Sequence, residues 1–228
     1  MGQCLICQNW VSEQPSLAQL LMMASIHAPV LCRSCQQRFI RIEGPTCPIC
    51  GRQQTKTTVC HDCLRWQKEG SLPLVNQALY QYNGAMKQFM HQYKFLGDYR
   101  LRQAFSAEIQ ARIKQRAGAM IVPIPVTPKT ERTRGFNQVL GLLGNLTTTA
   151  ALETRHVDKA IPQSSKNRQQ RLLTEQPFQL TAGADKLIRG NRIVVVDDVY
   201  TTGRTLHHAA HLLKQAGALT VTSMTLAR

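Results

Sequence analysis

The sequence predicts an α/β fold: a parallel sheet flanked by helices, preceded by a small metal-stapled module. Two observations predict it. Ile193-Val194-Val195-Val196 is an unbroken apolar, β-branched run, as expected of a strand buried on both faces within a parallel sheet. All eight cysteines fall between Cys4 and Cys63 as four CxxC pairs. A length of 228 residues accommodates both a core of ordinary size and the stapled module. The expected division is 1–70 for the cysteine module and 71–228 for the sheet domain, with Gly70-Ser71-Leu72-Pro73 at the boundary.

The cysteine module comes first in the chain. A CxxC turn brings two thiolates to the separation that tetrahedral zinc needs, so Cys4/Cys7, Cys32/Cys35, Cys47/Cys50 and Cys60/Cys63 supply two complete Cys4 sites for structural Zn²⁺. Cys47-Pro48-Ile49-Cys50-Gly51 is the clearest knuckle, with a glycine placed for the sharp turn around a metal. Pairing in order is expected (4/7 with 32/35, 47/50 with 60/63), with interleaved pairing left open. His61 reads as an exposed loop residue, because eight thiols already serve two metals. A redox CxxC occurs once beside a βαβ pattern, and a disulfide scaffold follows a signal peptide; neither pattern is present, and Cys4 leaves no room for an apolar signal region ahead of it. A reducing, cytoplasmic setting is therefore expected. Gln14 to Leu31 carries no charge, but Pro15, Gln19, Ser25, His27 and Pro29 interrupt it and cysteines bound it, so we expect a short packed helix and no membrane insertion.

In the larger domain, Tyr80-Gln81-Tyr82 reads as a strand ended by Asn83-Gly84. Met86, Phe89, Met90 and Tyr93 recur at helical spacing, and Leu101, Phe105, Ile109 and Ile113 do so in a second helical segment. Lys87 and Lys94 on these helices could line a phosphate site, but lysines on a helix surface are usually solvated, and that is the expectation here. Met120-Ile121-Val122 is the next strand, leaving through Pro123-Ile124-Pro125. A basic loop with Lys129, Arg132 and Arg134 then precedes an apolar helix carrying Val139, Leu142, Leu143 and Leu146. At the carboxyl end of its strand this loop would face an anionic ligand bound at that sheet edge, the alternative being that Arg132 and Arg134 are ordinary surface cations.

The run Ile193–Val196 leads into Asp197, Asp198, Val199, Tyr200, Thr201, Thr202, Gly203, Arg204 and Thr205. Two acids where a parallel strand ends can accept hydrogen bonds from a polar ligand, and the small-residue loop can aim backbone N–H groups at one anion. An acid that merely caps a helix would explain neither the second carboxylate nor the Thr-Gly loop. This pattern resembles the PRPP-binding motif of the type I phosphoribosyltransferase fold. The resemblance implies that Asp197 and Asp198 hold the ribose hydroxyls, that Thr201 to Thr205 cradle the 5′-phosphate, and that Mg²⁺ arrives with PRPP. Purine-type members of that fold carry an acid where this chain has Thr201, so a purine acceptor is disfavoured. His207, His208 and His211 read as a polar helix face.

The knuckles, Lys94-Phe95 with Gly97-Asp98, Pro123-Ile124-Pro125, Arg134-Gly135-Phe136-Asn137-Gln138 and the Asp-Asp motif together resemble the ComF family along nearly the whole chain. That resemblance implies a cytoplasmic role in natural transformation, handling imported single-stranded DNA beside a DNA-translocating ATPase. It places a mobile loop at 163–172, where Lys166 joins Lys129, Arg132 and Arg134 as a candidate pyrophosphate ligand; the family's later Arg-x-x-Asn is only half kept, at Arg171. A net charge of +15 suits either a polyphosphate ligand or nucleic acid, and residues 71–228 hold 21 of the 28 Lys/Arg against 9 of the 13 Asp/Glu. Trp10, Trp66 and Phe39, near the knuckles, are candidates for base stacking. The alternative is an active phosphoribosyltransferase with an unidentified acceptor and no connection to DNA uptake. No catalytic residue and no oligomeric state follows from the sequence.

Overall fold

A computed structural model describes residues 2–11, 30–71, 73–155 and 176–228. Most of the apolar stretch 14–31, and all of 163–172 with Lys166, lie outside the described residues. Near the start, β1 (Gly2–Gln3) pairs antiparallel with β2 (Trp10–Val11) around the Cys4–Cys7 turn. Two helices, α1 (Arg33–Gln36) and α2 (His61–Lys68), follow Cys32 and Cys60 and carry Cys35 and Cys63. His61 is exposed as expected, but it opens α2 and does not lie in a loop.

Four strands form the main sheet: β3 (Asn76–Tyr80), β4 (Met120–Pro123), β7 (Arg192–Val199) and β8 (Thr220–Ala227). They run parallel in the order β3-β8-β7-β4, so all carboxyl ends meet at one edge. A small antiparallel pair, β5 (Leu152–Thr154) and β6 (Phe178–Leu180), stands apart from it. Side chains alternate along β7. Val194 and Val196 face α3 (Gly84–Lys94), a 3-10 turn (Tyr99–Ala104), α4 (Ser106–Lys114) and α6 (Gln138–Leu143), while Ile193 and Val195 face α7 (Ala184–Ile188) and α8 (Arg204–Gln215). Phe39, Phe89 and Phe105 meet edge-on in the first of these layers.

The cysteine clusters clasp the β3 side of the sheet. Cys4 and Cys35 belong to the first apolar layer; Cys47, Cys50, Cys60 and Cys63 belong to the second. The free edge of β3 is covered, because Ile42 donates to Leu79 O and Gln81 donates to Ile40 O, which leaves no open ladder there. The buried Asn76 side chain reaches Cys50 O and Thr225 Oγ1 and accepts from Ser223 Oγ at 2.9 Å, tying the second cluster to β8. Gly51 makes that contact fit: its φ is +71°, and a Cβ there would sit 2.9 Å from Asn76 O.

Four local expectations need correction. The strand expected at Tyr80–Tyr82 lies at Asn76–Tyr80; a polar residue at its start hides it, and that amide is satisfied across the sheet. The second helical segment breaks at Phe105 (φ −132°), with a 3-10 turn before it and α4 after it. The basic loop is a helix, α5 (Pro128–Arg134). Thr127 caps it by accepting from Thr130 N at 3.1 Å, and Pro128 opens it, a start signal obscured by the cations. Finally, Phe39 is a core residue, unavailable for base stacking.

Candidate functional site

Strand β7 delivers Asp197 and Asp198 to the carboxyl edge of the sheet, where both are buried at 7% and 3% exposure. The chain folds each acid back onto the following amide. Asp198 N donates to Asp197 Oδ1 at 2.8 Å, and Val199 N donates to Asp198 Oδ1 at 2.9 Å. Lys94, at the end of α3, pairs with Asp198 Oδ2. Burial first, and the neighbouring Asp198 charge second, raise Asp197 well above the ordinary carboxyl range. The pair therefore offers unequal carboxyls, one held by a cation and one favouring its proton.

Residues 200–203 then form a tight loop before α8. Tyr200 is buried under Gly203, whose φ is +81°; a Cβ at 203 would lie 2.3 Å from the tyrosine hydroxyl. Thr201, Thr202, Arg204 and Thr205 are exposed. The amides of Thr201, Thr202, Gly203 and Thr205 take no acceptor among the described residues, while Arg204 N reaches Thr202 Oγ1 at 3.4 Å. Free amides at the start of a 12-residue helix favour an anion.

The candidate cations are not equivalent. Arg134 lies at the site: its Nε donates to Lys94 O at 2.9 Å, its Nη1 pairs with Gln138 Oε1, and its guanidinium carbon is 6.0 Å from the Phe95 ring centre. Lys129 and Arg132 lie on the exposed surface of α5.

Lys94, which helical spacing presents as a solvated cation, is instead an ion-pair partner of the motif. His207 is likewise no member of a polar face. It is buried, stacked on Trp66 at 4.4 Å, with Nε2 3.4 Å from Tyr200 Oη. Burial, then the His208 charge, lowers it to about 4, so it is neutral at physiological pH. Trp66 is thus engaged, and of the three candidates for stacking Trp10, at 73% exposure, is the one left open.

The cysteines gather in order. Cys4, Cys7, Cys32 and Cys35 form one group, and Cys47, Cys50, Cys60 and Cys63 the other, each with its sulfur atoms within 4.8 Å of one another. Sγ···Sγ separations of 3.6 Å (Cys7–Cys32), 3.6 Å (Cys50–Cys60) and 3.8 Å (Cys47–Cys63) match the roughly 3.8 Å edge of a tetrahedron with Zn–S bonds of about 2.3 Å. They are far from the roughly 2.05 Å of a disulfide. The thiols of each group are unequal: the Ser34 hydroxyl pulls Cys32 down to about 6 while burial pushes Cys35 up to about 12, and at Cys47 burial is overcome by backbone N–H groups, leaving about 7, while burial raises Cys63. The two Cys4 clusters could therefore hold structural zinc ions.

Comparison with known proteins adds a second line of observation. Residues 146–228 match the phosphoribosyl transferase domain family, a span that takes in β5 to β8 and the whole Asp197–Thr205 segment. Competence protein ComFC of Streptococcus pneumoniae (strain ATCC BAA-255 / R6) is 36% identical over 228 residues, covering 99% of this chain and 100% of that protein. The chain belongs to the ComF family. A second ComFC, from Bacillus subtilis (strain 168), is 32% identical over 99% of this ComF-family chain and 94% of its own length. DNA utilization protein YhgH of Escherichia coli (strain K12) is 28% identical over 84% of this chain and 87% of its own. Among the described residues of this ComF-family chain, no helix is long and apolar enough to cross a membrane.

Proposed function

We propose that this chain acts in natural transformation, handling imported single-stranded DNA in the cytoplasm beside a DNA-translocating ATPase, and that it binds PRPP with Mg²⁺ at the carboxyl edge of its sheet. One observation carries the reading: paired buried carboxyls are followed by a loop of free amides, in a chain 36% identical end to end to a competence protein. Asp197 and Asp198 accept hydrogen bonds from the ribose hydroxyls. The amides of residues 201–205 hold the 5′-phosphate. Arg134, already anchored against Lys94 O, is the cation we assign to a departing pyrophosphate, and Lys129 and Arg132 extend the positive surface outward. Mg²⁺ supplies charge neutralisation of the pyrophosphate when it arrives with PRPP. Residues 1–70 act as a double zinc ribbon, with one Zn²⁺ on each cysteine group, joined to a phosphoribosyltransferase-like domain at 71–228.

Calorimetric titration of zinc-loaded protein with Mg·PRPP tests the pocket, and transformation frequency in a strain carrying an Asp197→Asn/Asp198→Asn copy tests the role. Saturable binding lost in that variant, together with lost transformation, is the expected result. Wild-type affinity in a folded double variant would overturn the site assignment.

A second reading is favoured by the completeness of the phosphate loop: turnover of PRPP with an acceptor that needs no acid at Thr201. Pyrophosphate release on adding candidate acceptors decides it.

A further inference from the structure

The loop after β7 is held from behind by the second cysteine cluster. Arg228 lies at the end of β8 with its side chain only 5% exposed, and it donates to Tyr200 O at 3.3 Å and to Thr201 O at 2.8 Å. The same guanidinium reaches Cys50 Sγ at 3.4 Å, lies 3.6 Å from Asp62 Oδ2 on α2, and covers the Tyr200 ring at 4.6 Å. Trp66, on α2 and one turn beyond Cys63, donates its indole N–H to Thr202 O at 3.0 Å while its ring stacks on His207.

Three consecutive carbonyls, those of Tyr200, Thr201 and Thr202, are therefore gripped by groups that the second cluster positions. A peptide unit is planar and trans, so fixing each carbonyl fixes the opposite direction of the N–H in the same unit. Those N–H groups belong to Thr201, Thr202 and Gly203, which are free to receive an anion. The first cluster packs in the other apolar layer, and none of its described residues bonds to this loop.

We propose that Trp66 and Arg228 are positioning residues that latch the loop 200–203, so that its amides stay aimed only while Cys47, Cys50, Cys60 and Cys63 hold their metal, independently of the first cluster. Naming the loop's ligand as a phosphoribosyl phosphate rests on the function proposed above; the latch itself does not. Loss of metal frees α2 at Cys60 and Cys63, withdrawing Trp66 and the Asp62 partner of Arg228 together.

The test uses the full, zinc-loaded chain. Amide hydrogen exchange of the bonded amides at the two ends of the loop, Tyr200 N to Ala227 O and His207 N to Gly203 O, together with metal content and Mg·PRPP affinity, is measured for wild type, Trp66→Phe, Arg228→Gln, their double variant, Cys60→Ser and Cys7→Ser. Trp66→Phe keeps the stack on His207 and removes one hydrogen bond, so exchange in the loop rises and affinity falls about fivefold at unchanged metal content; Arg228→Gln costs about tenfold. Cys60→Ser opens the loop, and Cys7→Ser lowers metal content while leaving loop exchange as in wild type. Unchanged loop exchange in the double variant overturns the latch, as does equal opening by Cys7→Ser and Cys60→Ser. If wild type fails to bind Mg·PRPP while Trp66→Phe still loosens the loop, the latch stands and the phosphoribosyl reading falls.

Discussion

Lys94, the last residue of α3, is ion-paired with Asp198, near the end of β7, and so joins a helix of one layer to the carboxyl edge of the sheet. The lysine side chain is 20% exposed and the carboxylate 5%, so the pair is shielded from water more than a surface pair is. Lys94→Met leaves Asp198 buried without its cation and beside Asp197. We expect a loss of about 2 kcal/mol, a drop of about 4–8 °C in melting temperature. Millimolar Mg²⁺ should restore part of that loss in the variant and do little for wild type. A thermal scan with and without Mg²⁺ reads both, and a Lys94→Met melting curve identical to wild type would show the pair is absent in solution.

Asp197 gives a different, proton-linked signature. Its carboxyl is raised by burial and then by the Asp198 charge, so the free protein holds the proton to a higher pH than an ordinary aspartic acid. A ligand that requires the carboxylate drives that proton off on binding. Affinity for Mg·PRPP should therefore rise with pH through the raised range and fall as pH drops below it. Titration in two buffers of different ionisation enthalpy should show net proton release, and Asp197→Asn should abolish it.

The parts of this fold written in local pattern were legible in the sequence: the β-branched run of β7, the helical spacing of Met86 to Tyr93, the CxxC pairs and their in-order grouping. What escaped depends on partners far along the chain. Asn76 looks too polar for a strand until Ser223 and Thr225 satisfy it. Lys94 looks solvated until Asp198 arrives, and His207 looks like one of three polar histidines until Trp66 covers it. The α5 start was readable from Thr127-Pro128 but was outweighed by its cations.

Gly203 tests the loop sterically. Any side chain at 203 must adopt φ +81° and place its Cβ 2.3 Å from Tyr200 Oη, so the tyrosine or the loop has to move. Gly203→Ala should weaken Mg·PRPP binding by roughly tenfold or more, since misaimed amides lose charge-assisted hydrogen bonds. The double variant Gly203→Ala/Tyr200→Phe should recover little of the affinity in the same titration, because the ring atoms Cζ and Cε1 would still lie 2.4 and 2.7 Å from the added Cβ.

His207 is lowered to about 4 by burial and the His208 charge, against about 6.5 in an unfolded chain. Its folded value is depressed, so unfolding takes up a proton between these limits. The stability it contributes is fully present above about pH 6.5 and is lost as pH falls toward 4. At pH 5 the loss is about 2 kcal/mol. An NMR titration of the imidazole should place its midpoint near 4, and a midpoint near 6.5 would mean that Trp66 does not cover the ring in solution. The urea midpoint of wild type should drop more between pH 7 and pH 5 than that of His207→Asn.

The two cysteine groups should load and lose metal separately, because they pack in opposite layers of the sheet and share no ligand. Elemental analysis should return two zinc ions per chain. Cys7→Ser removes the exposed ligand of the first group and should lower the count to one, with the remaining metal on Cys47, Cys50, Cys60 and Cys63. The buried group should also resist chelators longer, since its thiols are all shielded whereas Cys7 faces solvent. Biphasic zinc release, with the fast phase absent in Cys7→Ser, is the expected record; a single phase accounting for both ions would mean that the clusters are coupled and would contradict their separation in the fold.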